Sequence, residues 1–297
     1  MTAPAADAIQ ARHRPGAIAL FWACRLFVSL LVAWPLADVF RGLGVGRGPE
    51  QDAPLFEPGA LLLLEAVRLG EATFTSALQT AGFQALVFAL LLLAPLAALM
   101  VALSQRGRLE PALWFGRALR HLPRFVLLGG ITLLCQALTL LAFVLVYGLL
   151  QRLWEGRVNE KWADLLSVAW FAIGAASVVV WGLLNDLGRA ASVLHEERAA
   201  DSIARAIGAL RARPGRIAGT WTLVGLACVA VVALAAYATD AAHVEHPDSW
   251  RVVLVAFVHQ LGALALAALR AVWLAFAIRV VAVGLGAGAP SRGVEPR

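Results

Sequence analysis

Six long apolar stretches constrain this chain more than any other feature. They run over about 17–40, 83–103, 125–150, 163–184, 217–239 and 252–283. A helix needs roughly 20 apolar residues to cross a hydrocarbon core, and each stretch is long enough. The apolar residues come in blocks and lack the 2- or 3.6-residue period of half-buried elements. Composition agrees: 61% of residues are hydrophobic and 15% charged, against about 25% charged in an ordinary soluble domain. The sequence therefore predicts an all-α polytopic transmembrane helical bundle. It forms one six-span membrane domain over 1–297, arranged as three hairpins with short in-plane amphipathic helices.

The last stretch exceeds what a bilayer needs, so tilt or an extension beyond the membrane is expected. The first follows Arg12-His13-Arg14 and has no small-residue cleavage site before its end, so it reads as a retained span and not a signal peptide. Residues 41–82 form an expected extracytoplasmic loop. Within it Pro58 suits a helix start, and Glu65 and Arg68 interrupt the apolar run, which predicts a surface helix over 59–79.

Positive charge sets the orientation, because arginine and lysine resist translocation while acidic residues count for little. The N-terminus, 104–124, 185–216 and the tail from 284 carry fifteen arginines, and the opposite loops carry seven basic residues. The heavier side should be cytoplasmic, with both termini there, in a cell inner membrane. Trp34, Tyr147, Trp154, Trp162, Tyr237 and Trp250 fall near the expected outer ends, and Trp22, Trp114, Trp181 and Trp221 near the inner ones, where amphipathic rings favour the headgroup layer.

A repeat marks the cytoplasmic start of the odd-numbered spans. Arg12-His13-Arg14-Pro15-Gly16-Ala17-Ile18-Ala19 reads against Arg211-Ala212-Arg213-Pro214-Gly215-Arg216-Ile217-Ala218, with Trp22 and Trp221 following at the same offset. Before span 3, Ala118-Leu119-Arg120 precedes Pro123 and Arg124 in a similar way. Each odd span is thus expected to begin where proline ends a basic surface segment.

The run Leu55-Phe56-Glu57-Pro58-Gly59-Ala60 with Leu64-Glu65-Ala66-Val67-Arg68, then Asp186-Leu187-Gly188-Arg189, Arg211 to Gly215, and Gln260 with Arg270, resembles a family of six-span bacterial integral membrane proteins. These are similar in layout to the membrane domains attached to some glycerophosphodiester phosphodiesterases. The resemblance implies a helical membrane fold and does not carry the phosphodiesterase activity with it.

Charges inside or at the ends of spans are costly and mark functional or structural pairing. Arg25, Asp186, Arg189 and Arg270 form a candidate inner-leaflet polar cluster. Asp186 and Arg189 share a helix face at three-residue spacing, and Arg270 is the expected partner of Asp186. Snorkelling to the headgroups is the bland alternative. His259, Gln260, Gln84, Gln136, Thr132 and Thr139 read as interhelical hydrogen-bonding groups.

Two basic segments read as in-plane amphipathic helices. In 111–122 the charges are Arg117, Arg120 and then Arg124, beside an apolar stripe of Trp114, Ala118 and Leu122. In 201–213 the stripe is Ile203, Ile207 and Leu210, with an Asp201–Arg205 pair and Arg211, Arg213 and Arg216 following. These seven arginines are candidate contacts for anionic lipid, each worth ~1 kcal/mol near a charged surface. Nucleic acid is not an expected partner, because no folded soluble module accompanies the charge.

Cys24, Cys135 and Cys228 lie in different apolar blocks and suggest neither a metal site nor a disulfide. His243, Glu245 and His246 have metal-ligand types at a spacing one residue short of the inverted zinc-protease motif. No phosphate-binding loop, nucleophile elbow or acid–base carboxylate pair stands out, and no cofactor is expected. Three readings follow, in order: a non-enzymatic lipid-associated scaffold or the membrane subunit of an assembly with an unidentified protein partner; a transporter; and a lipid-modifying enzyme.

Overall fold

The computed structural model describes residues 11, 14–44, 68, 71–105, 110–154, 159–241 and 249–283. Among these no strand occurs, and 96% are helical. The described residues form eight helices, in chain order α1 (Pro15–Gly44), α2 (Glu71–Leu91), α3 (Leu93–Ser104), α4 (Pro111–Trp154), α5 (Glu160–His195), α6 (Ala199–Ala212), α7 (Pro214–Ala241) and α8 (Ser249–Val283). Six stretches are long and apolar enough to cross a membrane: Pro15–Pro35, Phe74–Ser104, Ala112–Leu153, Lys161–His195, Pro214–Ala241 and Val253–Val283. The all-α, six-span class expected from the sequence holds.

Prolines explain where several helices begin or bend. Pro15, Pro111 and Pro214 occupy first helical positions, where the missing N–H costs nothing. Pro95 cannot donate to the Leu91 carbonyl, and the ladder loosens at Leu92, which separates α2 from α3. Flanking bonds from Leu92 N to Phe88 O (2.8 Å) and from Leu96 N to Leu92 O (3.1 Å) carry the chain across the break.

Pro123 behaves differently from its expected counterparts. It was expected to end a surface segment over 111–122, yet α4 runs unbroken through it for 44 residues. Pro123 and Leu119 are both exposed, so the carbonyl freed by proline faces outward, where a polar environment can satisfy it. The expected break is present only at the second basic segment, where Arg213 leaves helical geometry (φ −144°, ψ 53°) between α6 and α7. The expected surface helix over 59–79 also differs in its described part: Glu71–Gln79 are the first turns of α2, continuous with the second span. Residues 59–67 and the His243–Asp248 segment lie outside the described residues.

The chain divides into two compact units. The first comprises Met100–Gly219 and, within the described residues, 274–283; the second comprises Ala11–Leu99 and Thr220–Trp273. In the second unit α1 packs on α2, and α7 meets α8 through a Thr239 Oγ1 to His259 Nε2 hydrogen bond of 3.1 Å. Gly262 lies close to Ala235 and Val231 on the same contact. The first unit is built on α4, α5 and α6, with α5 against both neighbours.

Hydroxyl side chains inside these helices follow the rule that lipid imposes on polar groups, which must find partners within the protein. Thr80, Thr132, Ser177 and Thr239 each donate to the carbonyl four residues earlier. Thr132 therefore serves its own helix and not a neighbour. Cys24, Cys135 and Cys228 are free thiols.

Candidate functional site

Three buried stripes pack α4, α5 and α6 together in the first unit. On α4 the stripe is Ala118, His121, Phe125 and Leu128, spaced three, four and three residues apart, which keeps one face toward a partner helix. On α5 it is Leu183, Leu187, Ala190 and Ala191, and on α6 it is Ala199, Ser202 and Ala206. The small residues on α5 and α6 let the two axes approach, and Gly188 lies near both Leu128 and the Ser202 carbonyl.

A three-residue turn joins α5 to α6. Glu196 adopts left-handed geometry (φ 53°, ψ 25°), and its N–H donates to the Ser192 carbonyl at 3.1 Å. This closes the C-terminus of α5 in the way glycine usually does. Glu197 then turns back over α6, and the Arg205 Nε donates to its Oε2 at 2.6 Å, with a second contact between Nη2 and Oε1. The expected Asp201–Arg205 pair is thus replaced by Glu197–Arg205. Asp201 is exposed, whereas Glu197 is only 25% exposed and its charge is less screened. The arginine stem also leans toward the helix N-terminus, where Glu197 lies.

Of the four residues in the expected inner-leaflet cluster, Asp186 and Arg189 lie in the first unit and are only 5% and 6% exposed. The Arg189 guanidinium lies over the Phe125 ring at 5.4 Å and fills the space beside Gly129, where an added Cβ would stand 3.2 Å from Nη2. Arg25 and Arg270 belong to the second unit. Arg25 is exposed and lies 5.7 Å from the Phe21 ring on its own helix, and Arg270 is half-buried.

The arginines expected at the lipid surface are spread over the first unit. Arg117, Arg120, Arg211 and Arg216 are exposed, and Arg124 and Arg213 half-buried. Arg205 is engaged by Glu197. The apolar stripe of α6 also needs correction: the fully buried face is the small one, Ala199, Ser202 and Ala206, while Ile203, Ile207 and Leu210 form a half-exposed edge beside it.

Above this polar layer α4 and α5 are zipped by side-chain hydrogen bonds. Gln136 Nε2 donates to the Val178 carbonyl at 3.0 Å, Trp181 Nε1 to Thr139 Oγ1 at 3.0 Å, and Trp170 Nε1 to the Phe143 carbonyl at 3.1 Å. Tyr147 and Ser167 share a hydroxyl contact of 3.1 Å. Gln136 and Thr139 act across helices as expected. Trp181 and Tyr147 were expected to anchor in headgroups, yet their polar atoms turn inward to the neighbouring helix.

Several buried atoms have no hydrogen-bond partner in the structure: His121 Nδ1, Asn185 Oδ1, His195 Nε2, Ser202 Oγ and Arg279 Nε in the first unit, and Trp22 Nε1, Gln84 Oε1 and Gln260 Oε1 in the second. Sequence reading passed over His121, Ser202, Asn185 and Arg279. His121 could have been found from its place between Ala118 and Phe125 on one face, and Ser202 from its seven-residue frame with Ala199 and Ala206. No protein-family model, curated protein or solved structure matches this chain.

Proposed function

We propose that this integral membrane protein is a non-enzymatic scaffold of a bacterial inner membrane. In this reading its basic side faces the cytoplasm and associates with anionic lipid. One observation carries it: α6 docks on α5 by a stripe of small residues and keeps the larger Ile203–Ile207–Leu210 edge half-exposed, with Arg211 and Arg213 at its end. A helix that has spent only its small face on packing retains an apolar edge and a basic end suited to the headgroup boundary. The apolar spans fit the same role. None of the apolar window of α4 and 6% of that of α5 is buried within the chain, which leaves most of both surfaces to lipid or to a partner subunit.

The test is reconstitution of the full chain into nanodiscs of mixed phosphatidylcholine and phosphatidylglycerol, followed by identification of the lipids retained on delipidation. Enrichment of the anionic lipid is the expected result, and equal retention of both would overturn the reading. Transport is a second reading, favoured by the buried and unpartnered Gln84 Oε1 and Gln260 Oε1. Polar atoms at such depth call for water or a solute. Solute-dependent flux in proteoliposomes, lost in Gln84→Leu and Gln260→Leu, would decide for it.

A further inference from the structure

Where α7 begins and α8 ends, Arg216 packs on Phe276, one turn from Arg279. The Arg216 guanidinium lies 6.0 Å from the centre of the Phe276 ring. Arg279 follows Phe276 by three residues on α8, which places both on one face, about 4.5 Å apart along the axis at 1.5 Å per residue. Arg279 is half-buried between buried neighbours: Ala277 and Ile278 are fully buried, and Val280 and Val281 are each 4% exposed. Its Nε is buried without a hydrogen-bond partner. Among the described residues neither arginine forms an ion pair.

A guanidinium never deprotonates, and a buried charged donor costs free energy until it meets an acceptor. The acceptor this place calls for is an anion, because the first turn of α7 adds to the same field. Ile217 N bonds to the Arg213 carbonyl at 3.1 Å, which leaves the amides of Gly215 and Arg216 before it at the open end of the helix. A side chain added at Gly215 would meet nothing within 4 Å, so an approaching group finds room there. Both helices are of membrane-crossing length, and their shared end lies on the arginine-rich side.

We propose that Arg216, Arg279 and the first turn of α7 seat the phosphodiester of one anionic phospholipid, which rests on the lipid-association reading above and assigns it a place. The planar arginine fork matches two phosphate oxygens, and the helix N-terminus favours negative charge. Arg213 stands at the rim and contributes field. Arg205, held by Glu197, does not take part.

The experiment uses the full chain in nanodiscs of phosphatidylcholine and phosphatidylglycerol, released into detergent and weighed by native mass spectrometry. One phosphatidylglycerol is expected to stay on the wild type after stepwise delipidation. Its occupancy should fall at least tenfold in R216Q and in R279Q and recover in part in R279K. Arg152→Gln, exposed in the last turn of α4, should keep it. R216Q alters an exposed residue at a helix start, so it keeps the test valid should R279Q fold poorly. A second arm titrates lipid-free protein with inorganic phosphate. Saturable binding that depends on both arginines would make the ligand a soluble phosphate and overturn the lipid assignment. Retention of phosphatidylglycerol that is unchanged in R216Q and R279Q overturns the seat while leaving the broader reading standing. Absence of any anionic preference in the wild type overturns both.

Discussion

Arg189 and Phe125 are a buried pair in which the guanidinium lies 5.4 Å from the ring centre, and Gly129, one turn further along α4, holds open the space for Nη2. The ring face attracts the cation, an interaction worth about 2 kcal/mol when desolvated. A charge that is 6% exposed is therefore held by shape as well as by charge, and the shape depends on a missing side chain.

Leucine at Gly129 must displace the guanidinium, because even its Cβ would stand 3.2 Å from Nη2. Overpacking of this kind costs about 1–3 kcal/mol. Gly130 is the internal control, since a Cβ there meets nothing within 4 Å. Gly130→Leu should leave the detergent-purified protein as stable as wild type or slightly more so, because glycine disfavours a helix interior. Thermal unfolding of the two variants checks this, and equal melting temperatures would show that the slot carries no strain.

Glu197 and Arg205 should behave as a coupled pair, and Asp201 and Arg205 should not. Both members of the Glu197–Arg205 pair are partly exposed, so the coupling expected from a double-mutant cycle is modest, about 0.5–1 kcal/mol, and it should weaken with salt. Asp201→Asn should be nearly silent. A cycle built from Glu197→Gln, Arg205→Gln and the double variant, read by chemical unfolding, measures the term. Strict additivity would remove the pair from the account of the α5–α6 turn.

How much of this was legible follows from which interactions are local. The spans could be read because lipid requires about 20 apolar residues in a row, and that requirement is written in consecutive positions. The α6–α7 break could be read too, since proline acts on its own turn. Pro123 misled because the same residue is tolerated when its freed carbonyl faces outward, and facing is a tertiary property. Arg205 misled because the spacing rule offered Asp201 at four residues while a turn outside the helix brought Glu197 back over it. Trp181 misled because an indole at the depth of a headgroup is also an indole within reach of Thr139, and only the packing of α4 on α5 decides between them. Arg279 was passed over because its sequence neighbours are apolar, and Arg216, which packs on Phe276 of the same helix, lies more than sixty residues away.

The Trp181–Thr139 bond gives a direct measure of what the α4–α5 zipper contributes. Thr139 donates to the Cys135 carbonyl at 2.7 Å and accepts from Trp181 at 3.0 Å, so its hydroxyl is used in both roles. Interhelical hydrogen bonds in membranes average about 0.6 kcal/mol and reach about 1.7. Trp181→Phe combined with Thr139→Val in a cycle should therefore return a coupling of about 0.6–1.7 kcal/mol by thermal or denaturant unfolding. A coupling near zero would mean that Trp181 acts through its ring alone.

Ser202 offers a prediction whose sign is opposite to the usual one. Its side chain is fully buried on the face of α6 that meets α5, and its Oγ has no hydrogen-bond partner. Its backbone N–H is already satisfied by the Arg198 carbonyl at 3.1 Å, so the hydroxyl contributes nothing to the helix ladder. A buried hydroxyl without a partner costs about 1–3 kcal/mol relative to one that is satisfied, and alanine, which also has the better helix propensity, removes that cost. The flanking stripe residues Ala199 and Ala206 are already alanines, so the substitution continues the existing surface without a change of shape. Ser202→Ala should raise the unfolding free energy by about 1 kcal/mol, visible as a higher melting temperature in detergent. A fall in stability of similar size would show instead that Ser202 holds a buried water and that the layer between α5 and α6 is hydrated.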